Sequence, residues 1–365
     1  MERRRRMLTL ATAAVLAAAL LPAWPSLAGE AGAPGPAVRV WLTTGDRSSL
    51  LAEQPRGAIG PPLDGVPLVT VDASKAYQRV EGYGASITDS SAHLLAASPY
   101  RDAIMRDLFD PGHGLGLSYL RQPMGASDFV AGDHYTYDDL PAGQNDYAMA
   151  HFSVAHDRAE ILPLLRQARA LNPSLKVMAT PWSPPAWMKT NGSLVGGRLR
   201  DDPRVYRAYA KYFARFVEDY RRAGVPVDAL TVQNEPQNRN PNAYPGMDLR
   251  PDEEARLVAA VSAELHRAGL RTRILGYDHN WSLHPNDVGP PDDPADPEYA
   301  RTLLADPRAN RPSPAPRSTA TSATPRASPS CTTPTPTRTS TSPSAPAACR
   351  RTRRPPSRTR STGRP

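Results

Sequence analysis

Between residues 205 and 220 the hydrophobic positions fall at helical spacing: Val205, Tyr209, Tyr212, Phe213, Phe216, Val217 and Tyr220. Asp202 and Pro203 before them predict an N-cap and a first-turn proline, and Gly224 after them predicts a C-cap glycine. A short apolar run at 229–232 then reads as a strand. The signals recur downstream, with a helix over about 251–268, Gly269 at its end and an extended run at 273–275. Upstream, a helix over about 154–170 leads through Asn172 and Pro173 into a strand at 176–180, and another strand is expected near 115–120. Residues 38–42 alternate like a half-buried strand, and 68–71 read similarly. Repeated strand–helix units at this spacing predict a parallel sheet, either open and doubly wound or closed as a (β/α)8 barrel. No GxGxxG or Walker motif opens any of these helices, which weakens the nucleotide-binding form.

The two ends have a different texture. Arg3, Arg4, Arg5 and Arg6 precede an apolar run at 8–21, shorter than the roughly 20 residues that span a bilayer. Pro22 and Pro25 break it, and Ser26, Leu27 and Ala28 offer small residues at the positions a signal peptidase reads. A signal peptide over 1–28 and a secreted protein are expected, by the general or the twin-arginine route, the other reading being an uncleaved anchor. The formal charge of the 365 residues is +8, but 311–365 hold eleven Arg and no Lys, Asp or Glu. Residues 1–310 carry 33 basic against 36 acidic groups, so the body gives no support to a nucleic-acid partner. Both cysteines, Cys331 and Cys349, also lie in the tail, so the body has no thiolate metal site. No metal, no cofactor and no stable membrane span are expected.

Polar and aromatic residues gather just after the expected strands: Arg121 to Asp128 and Phe129; Trp182 and Trp187; Gln233, Asn234 and Glu235; Tyr277, Asp278, His279, Asn280 and Trp281. In a parallel barrel these ends meet at one face, where active sites sit. Indoles stack on sugar faces, carboxylates and amides fix hydroxyls, and a carboxyl pair can cleave a glycosidic bond. Each residue also has a plainer reading. A Trp after a strand packs, Asp128 caps a helix, and the Asn191 sequon takes no role. Glu235, following an apolar strand and backed by Pro236, is the hardest to explain structurally.

Four ordered motifs, EGYGASITDSS (81–91), LRQPMGASDF (120–129), TPWSPPAWMKTNG (180–192) and TVQNEP (231–236), resemble glycoside hydrolase family 30, whose best-known members are the glucosylceramidases. The resemblance runs from about 38 to about 310. It implies a (β/α)8 TIM barrel joined to an accessory β-sandwich, acting on β-linked glycosides with retention. It makes Glu235 the acid/base, places Asp128, Trp182 and Asn234 on the sugar, and sets Arg121 as a support beneath the acid/base. The implied partner is a β-linked glycoside, glucosylceramide or a β-glucan.

The family's nucleophile, a Glu roughly a hundred residues beyond the first, would fall in the acid-free tail. The fold expected here is therefore an incomplete barrel of about five strands over 76–310. Sandwich strands precede it at 38–75, and a disordered Pro/Ser/Thr/Arg-rich tail follows at 311–365. Loss of one base near residue 311 accounts for this. Ser313 to Thr321 then reread as VAGTAFHCY, an apolar strand. Thr332 to Ala347 reread as HDAYPDKDVYFTECSG, with a Glu straddling the codons of Pro343 and Ser344. Either a sequencing error or a pseudogene would leave that mark. The expected activity is glucosylceramidase-type hydrolysis, absent from the chain as written. The alternatives are a secreted β-1,6-glucanase of the same family and a non-catalytic carbohydrate-binding remnant.

Overall fold

The computed structural model describes residues 37–58, 64–239, 243–280, 282, 283, 287, 289 and 293–310, and the backbone of 321 and 322. The expected signal segment, Trp281, both cysteines and the reread segments at 313–320 and 332–347 lie outside the described residues. The chain divides into two units, 1–79 and 80–365.

In the first unit, β1 (Ala37–Val38) pairs antiparallel with β4 (Gly57–Ala58), and β2 (Trp41–Leu42) with β3 (Ala52–Glu53). The single strand expected over 38–42 is therefore split between two ladders, because its halves find different partners. Arg39 closes one of them by pairing with Glu53 at 3.0 Å and lying over the Trp41 ring. The strand expected at 68–71 does not form. Alternation yields a strand only when a neighbour pairs with it, no described strand does so, and Leu68, Val69 and Val71 are exposed.

The second unit holds α1 (Asp89–Ala97), α2 (Arg101–Phe109), β5 (Tyr119–Pro123), α3 (Ile161–Leu171), β6 (Lys176–Thr180), α4 (Pro203–Arg222), β7 (Ala229–Thr231), α5 (Pro251–Arg267), β8 (Arg273–Gly276), α6 (Tyr299–Ala305) and β9 (Thr321–Ser322). The strands pair in parallel in the order β5-β6-β7-β8-β9. Sequential parallel strands with helical crossovers make part of a TIM-barrel wall rather than an open sheet that reverses its strand order. Before β5, residues 81–86 run alongside it. Ser118 and Tyr119 donate their N–H groups to Tyr83 O at 2.8 and 3.1 Å, and Arg121 N donates to Ala85 O at 3.0 Å. Gly84 permits this approach, since a Cβ there would sit 1.5 Å from Tyr119 O. These five positions match the expected wall. β9 adds two residues of a sixth, within a tail for which no strand was expected.

Local chemistry sets the boundaries. Asp202 caps α4 by accepting from Arg204 N at 2.8 Å, and Pro203 fills its first turn. Gly224 and Gly269 follow α4 and α5 at φ +85° and +66°, a region costly for other residues. α5 starts with Glu253 reaching back to Arg250 N at 2.9 Å, and Asp252, Glu253 and Glu254 sit in its first turn, where the helix dipole favours acids. Two expected elements start late. Leu115 and Leu117 bond Asp107 O and Leu108 O at the end of α2, so β5 begins only at Tyr119. Pro163 lacks an N–H and suits a first turn, so α3 begins at Ile161 instead of 154, after a separate 3-10 turn at His156–Arg158.

All seven apolar positions of the 205–220 pattern are buried, and α4 packs them into one core with α3, α5 and the sheet. Full burial of each such side chain is worth roughly 1.5–3 kcal/mol. One carboxylate lies within this core. Asp157 is fully buried and accepts from Tyr137 at 2.6 Å and from Tyr220, which lets the aromatic cluster close around it.

Candidate active site

The C-terminal ends of the parallel strands carry the polar residues, as the barrel reading requires. Arg121, on β5, donates from one terminal nitrogen to Asn234 Oδ1 at 2.6 Å and to Asp278 Oδ2 at 2.7 Å. Its guanidinium lies 4.8 Å from the centre of the Trp182 ring, within range of a cation–π contact. Asp278 Oδ2 also accepts from Thr180 at 3.0 Å, at the end of β6, and from Thr231 at 2.9 Å, at the end of β7. One carboxylate oxygen therefore takes donors from three strands, and Asp278 itself follows the fourth.

Glu235 sits where the chain leaves this grid. Asn234 N donates to Pro181 O and Glu235 N to Asp278 O, both at 2.8 Å. Glu235 has φ +45°, a left-handed conformation uncommon for a residue with a side chain and frequent at functional sites. The bonds on either side hold it there, and Pro236 is buried behind it. The half-buried carboxylate accepts from Asn238 Nδ2 at 2.9 Å, and the same nitrogen donates to the Tyr244 hydroxyl at 2.8 Å.

Asp128 stands exposed on the loop after β5. Its pKa is raised from the ordinary carboxylate value, first by partial desolvation and then by the Glu235 carboxylate; its own backbone N–H and the Arg121 charge oppose the rise. Asp128 thus feels the charges of both Glu235 and Arg121. Trp182 is buried, and its carbonyl accepts from Gln233 Nε2 at 2.8 Å.

Residues 80–249 match the Glycosyl hydrolase family 30 TIM-barrel domain. This stretch belongs to glycosyl hydrolase family 30. The family 30 segment ends before Asp278 but contains Arg121, Asp128, Trp182, Asn234 and Glu235. Among curated relatives, an endo-1,6-β-D-glucanase of Neurospora crassa is 34% identical over 208 residues, 56% of this chain and 43% of its own. The lysosomal acid glucosylceramidase of Mus musculus is 30% identical over 251 residues, 66% of this chain and 46% of its own. Among solved structures, SrfJ from Salmonella typhimurium aligns with a TM-score of 0.61 at 28% identity, covering 74% of this chain and 57% of that one. The endo-β1,6-glucanase BT3312 aligns at 0.57 and 30% identity, covering 68% and 53%. The chain spans about half the length of the curated relatives it matches.

The strand ends bring together all five residues singled out from the sequence, with one difference of detail. Arg121 was expected beneath Glu235; its described bonds go instead to the neighbouring Asn234 and to Asp278. Trp187 takes the plainer reading of an indole after a strand. It is buried and donates to Asp138 Oδ2 at 3.0 Å, with Tyr147 edge-on to its ring. His279 is buried against Asp287 at 3.1 Å. Sequence reasoning placed Asp278 at the strand ends without giving it a role, and missed Asn238, Tyr244 and the two threonines. Asp278 stood in a polar run after a strand, and Thr180 and Thr231 are polar residues at strand ends, but no spacing rule distinguishes them from capping or solvated residues.

Among the described residues no group of three or more His, Cys, Asp or Glu could hold a metal ion. No described helix is long and apolar enough to cross a membrane.

Proposed function

We propose that the chain derives from a secreted retaining β-glucoside hydrolase of the glucosylceramidase type, with Glu235 as general acid/base. Asp128, Trp182 and Asn234 hold the sugar. The observation that carries this reading is Glu235 at a left-handed turn beside the grid in which Arg121 orients Asn234 and underlies Trp182. Glu235 protonates the glycosidic oxygen as the bond breaks, then takes a proton from the water that releases the sugar. Arg121 and Asn234 fix the substrate so that this transfer occurs within hydrogen-bond reach.

Retention needs a second carboxylate about 5 Å away as nucleophile. Asp278 is engaged by three donors, and residues 311–365 contain no acid. The chain as written therefore does not turn over, and the tail is the product of a frame change near residue 311. A second reading, a secreted β-1,6-glucanase, is favoured by the identity to the Neurospora crassa enzyme and the likeness to BT3312.

The test compares the 365-residue chain with a frame-restored chain on an aryl β-glucoside, glucosylceramide and β-1,6-glucan. Only the restored chain should hydrolyse them. In it, Glu235→Gln should abolish cleavage of poor leaving groups and spare activated ones more, with azide restoring turnover of the latter. Saturable hydrolysis by the chain as written, or activity of the restored chain on xylan alone, would overturn the reading.

A further inference from the structure

The loops after β5 and β6 leave adjacent paired strands at the same end, Pro123 standing beside Thr180. The first loop carries Asp128 and, further out, Gln144 and Asn145. The second carries Trp182, then Trp187, Lys189 and Thr190, and returns through Arg200. Between the outer parts lies an open groove of about 570 Å³.

Its floor is fixed before any ligand arrives. Trp187 is pinned by Asp138, and Arg200 Nη1 clamps the two loops by donating to Asn145 Oδ1 at 3.0 Å and Trp187 O at 3.1 Å. The buried Lys189 ammonium donates to Ser183 Oγ, Leu194 O and Gly246 O at 3.0, 2.9 and 2.6 Å, which ties the second loop down. Above this floor several polar groups bond nothing else in the described protein: the Gln144 side-chain amide, Asn145 Nδ2 and Arg200 Nη2. Gln144, Asn145 and Thr190 are exposed, and no large apolar side chain is exposed in the lining.

An alkyl chain laid here would strip water from these donors and return no hydrogen bond, which is costly. Sugar hydroxyls would replace the water bond for bond, and the rigid floor lowers the ordering cost of binding. We infer that this groove binds the continuation of a neutral β-glucan chain, one unit of which occupies the site of Asp128 and Trp182. The inference rests on the β-glucoside reading of the cleft and takes its glucan form.

Calorimetric titration of the 365-residue chain with gentiobiose and gentiotetraose, the β-1,6-linked di- and tetrasaccharides, tests it. The tetrasaccharide should bind at least tenfold tighter. Gln144→Ala with Asn145→Asp removes two of the three free donor groups and keeps the Arg200 acceptor; it should remove most of the tetrasaccharide's advantage over gentiobiose and leave gentiobiose binding and the thermal midpoint unchanged. Equal binding of the two sugars, with both lost in Trp182→Ala, would overturn the groove and leave the cleft reading standing. Tetrasaccharide binding that falls in the double variant yet ignores Trp182→Ala and Asp128→Ala would keep the groove and overturn the cleft reading. No binding of either sugar would overturn both.

Discussion

Arg121 and Asp278 are 157 residues apart in the chain and 2.7 Å apart in space. Their ion pair is partly shielded from water, and Asn234, Thr180 and Thr231 complete its hydrogen bonding. Asp278→Asn should therefore weaken a charge-assisted bond and disturb two hydroxyl donors, at a cost of about 2 kcal/mol in folding free energy. Urea denaturation followed by fluorescence reads this directly. A change below about 0.5 kcal/mol, the usual effect of an ordinary surface substitution, would mean the strand ends are organised by something else.

Glu254 supplies a pH dependence. It is fully buried and accepts from Tyr277 N at 3.0 Å, while burial pushes its pKa up from 4.5 to about 7. Below pH 4.5 the group is protonated in both folded and unfolded chains, and its full favourable contribution is present. As pH rises from 4.5 to about 7, the unfolded chain releases the proton first, so stability falls through that window. At about 1.4 kcal/mol per unit the loss is on the order of 3 kcal/mol. Glu254→Gln keeps the acceptor for Tyr277 and removes the titration. Between pH 5 and pH 7 its thermal midpoint should fall less than that of wild type; parallel curves would refute the assignment.

Asp128 reports on Glu235. Because the Glu235 carboxylate raises the Asp128 pKa, Glu235→Gln should lower it. Carboxyl carbon NMR across pH 2–7 distinguishes this from an unchanged or raised value, either of which would separate the two groups electrostatically.

Gly84→Ala tests the first position of the wall. The added methyl would overlap Tyr119 O, so residues 81–86 must leave β5 or β5 must distort. Loss of about 1–3 kcal/mol or more, or an insoluble product, is expected, as for other substitutions that overpack a contact. A fully stable variant would show that this segment does not lie against β5.

Much of the scaffold was legible because its signals are local. The Asp202 cap, Gly224, Gly269 and the α4 stripe each depend on a few residues near in sequence, and each stands where the pattern put it. The misplaced elements turn on what the pattern leaves open, whether a partner strand arrives or which nearby carbonyl takes a backbone N–H. Residues 68–71 carry a strand's alternation without a described strand to pair with, and 115–117 are held by the end of α2. The site divides the same way. Glu235, Asp128 and Trp182 could be singled out by residue type after a strand, while the Arg121–Asp278 pair and the Asn238 contact arise only when separate strand ends converge.

The single oxygen of Asp278 that gathers Arg121, Thr180 and Thr231 also sets a schedule. A ribosome delivers β5, β6 and β7 before residue 278 exists, and each of those donors must wait in water or on a temporary partner. Local helices such as α3 and α4 can form meanwhile, but the strand ends acquire their final arrangement only when the last of the four arrives. The cleft is thus a late product of synthesis, and a nascent chain released before that residue would carry Glu235 with no floor beneath it.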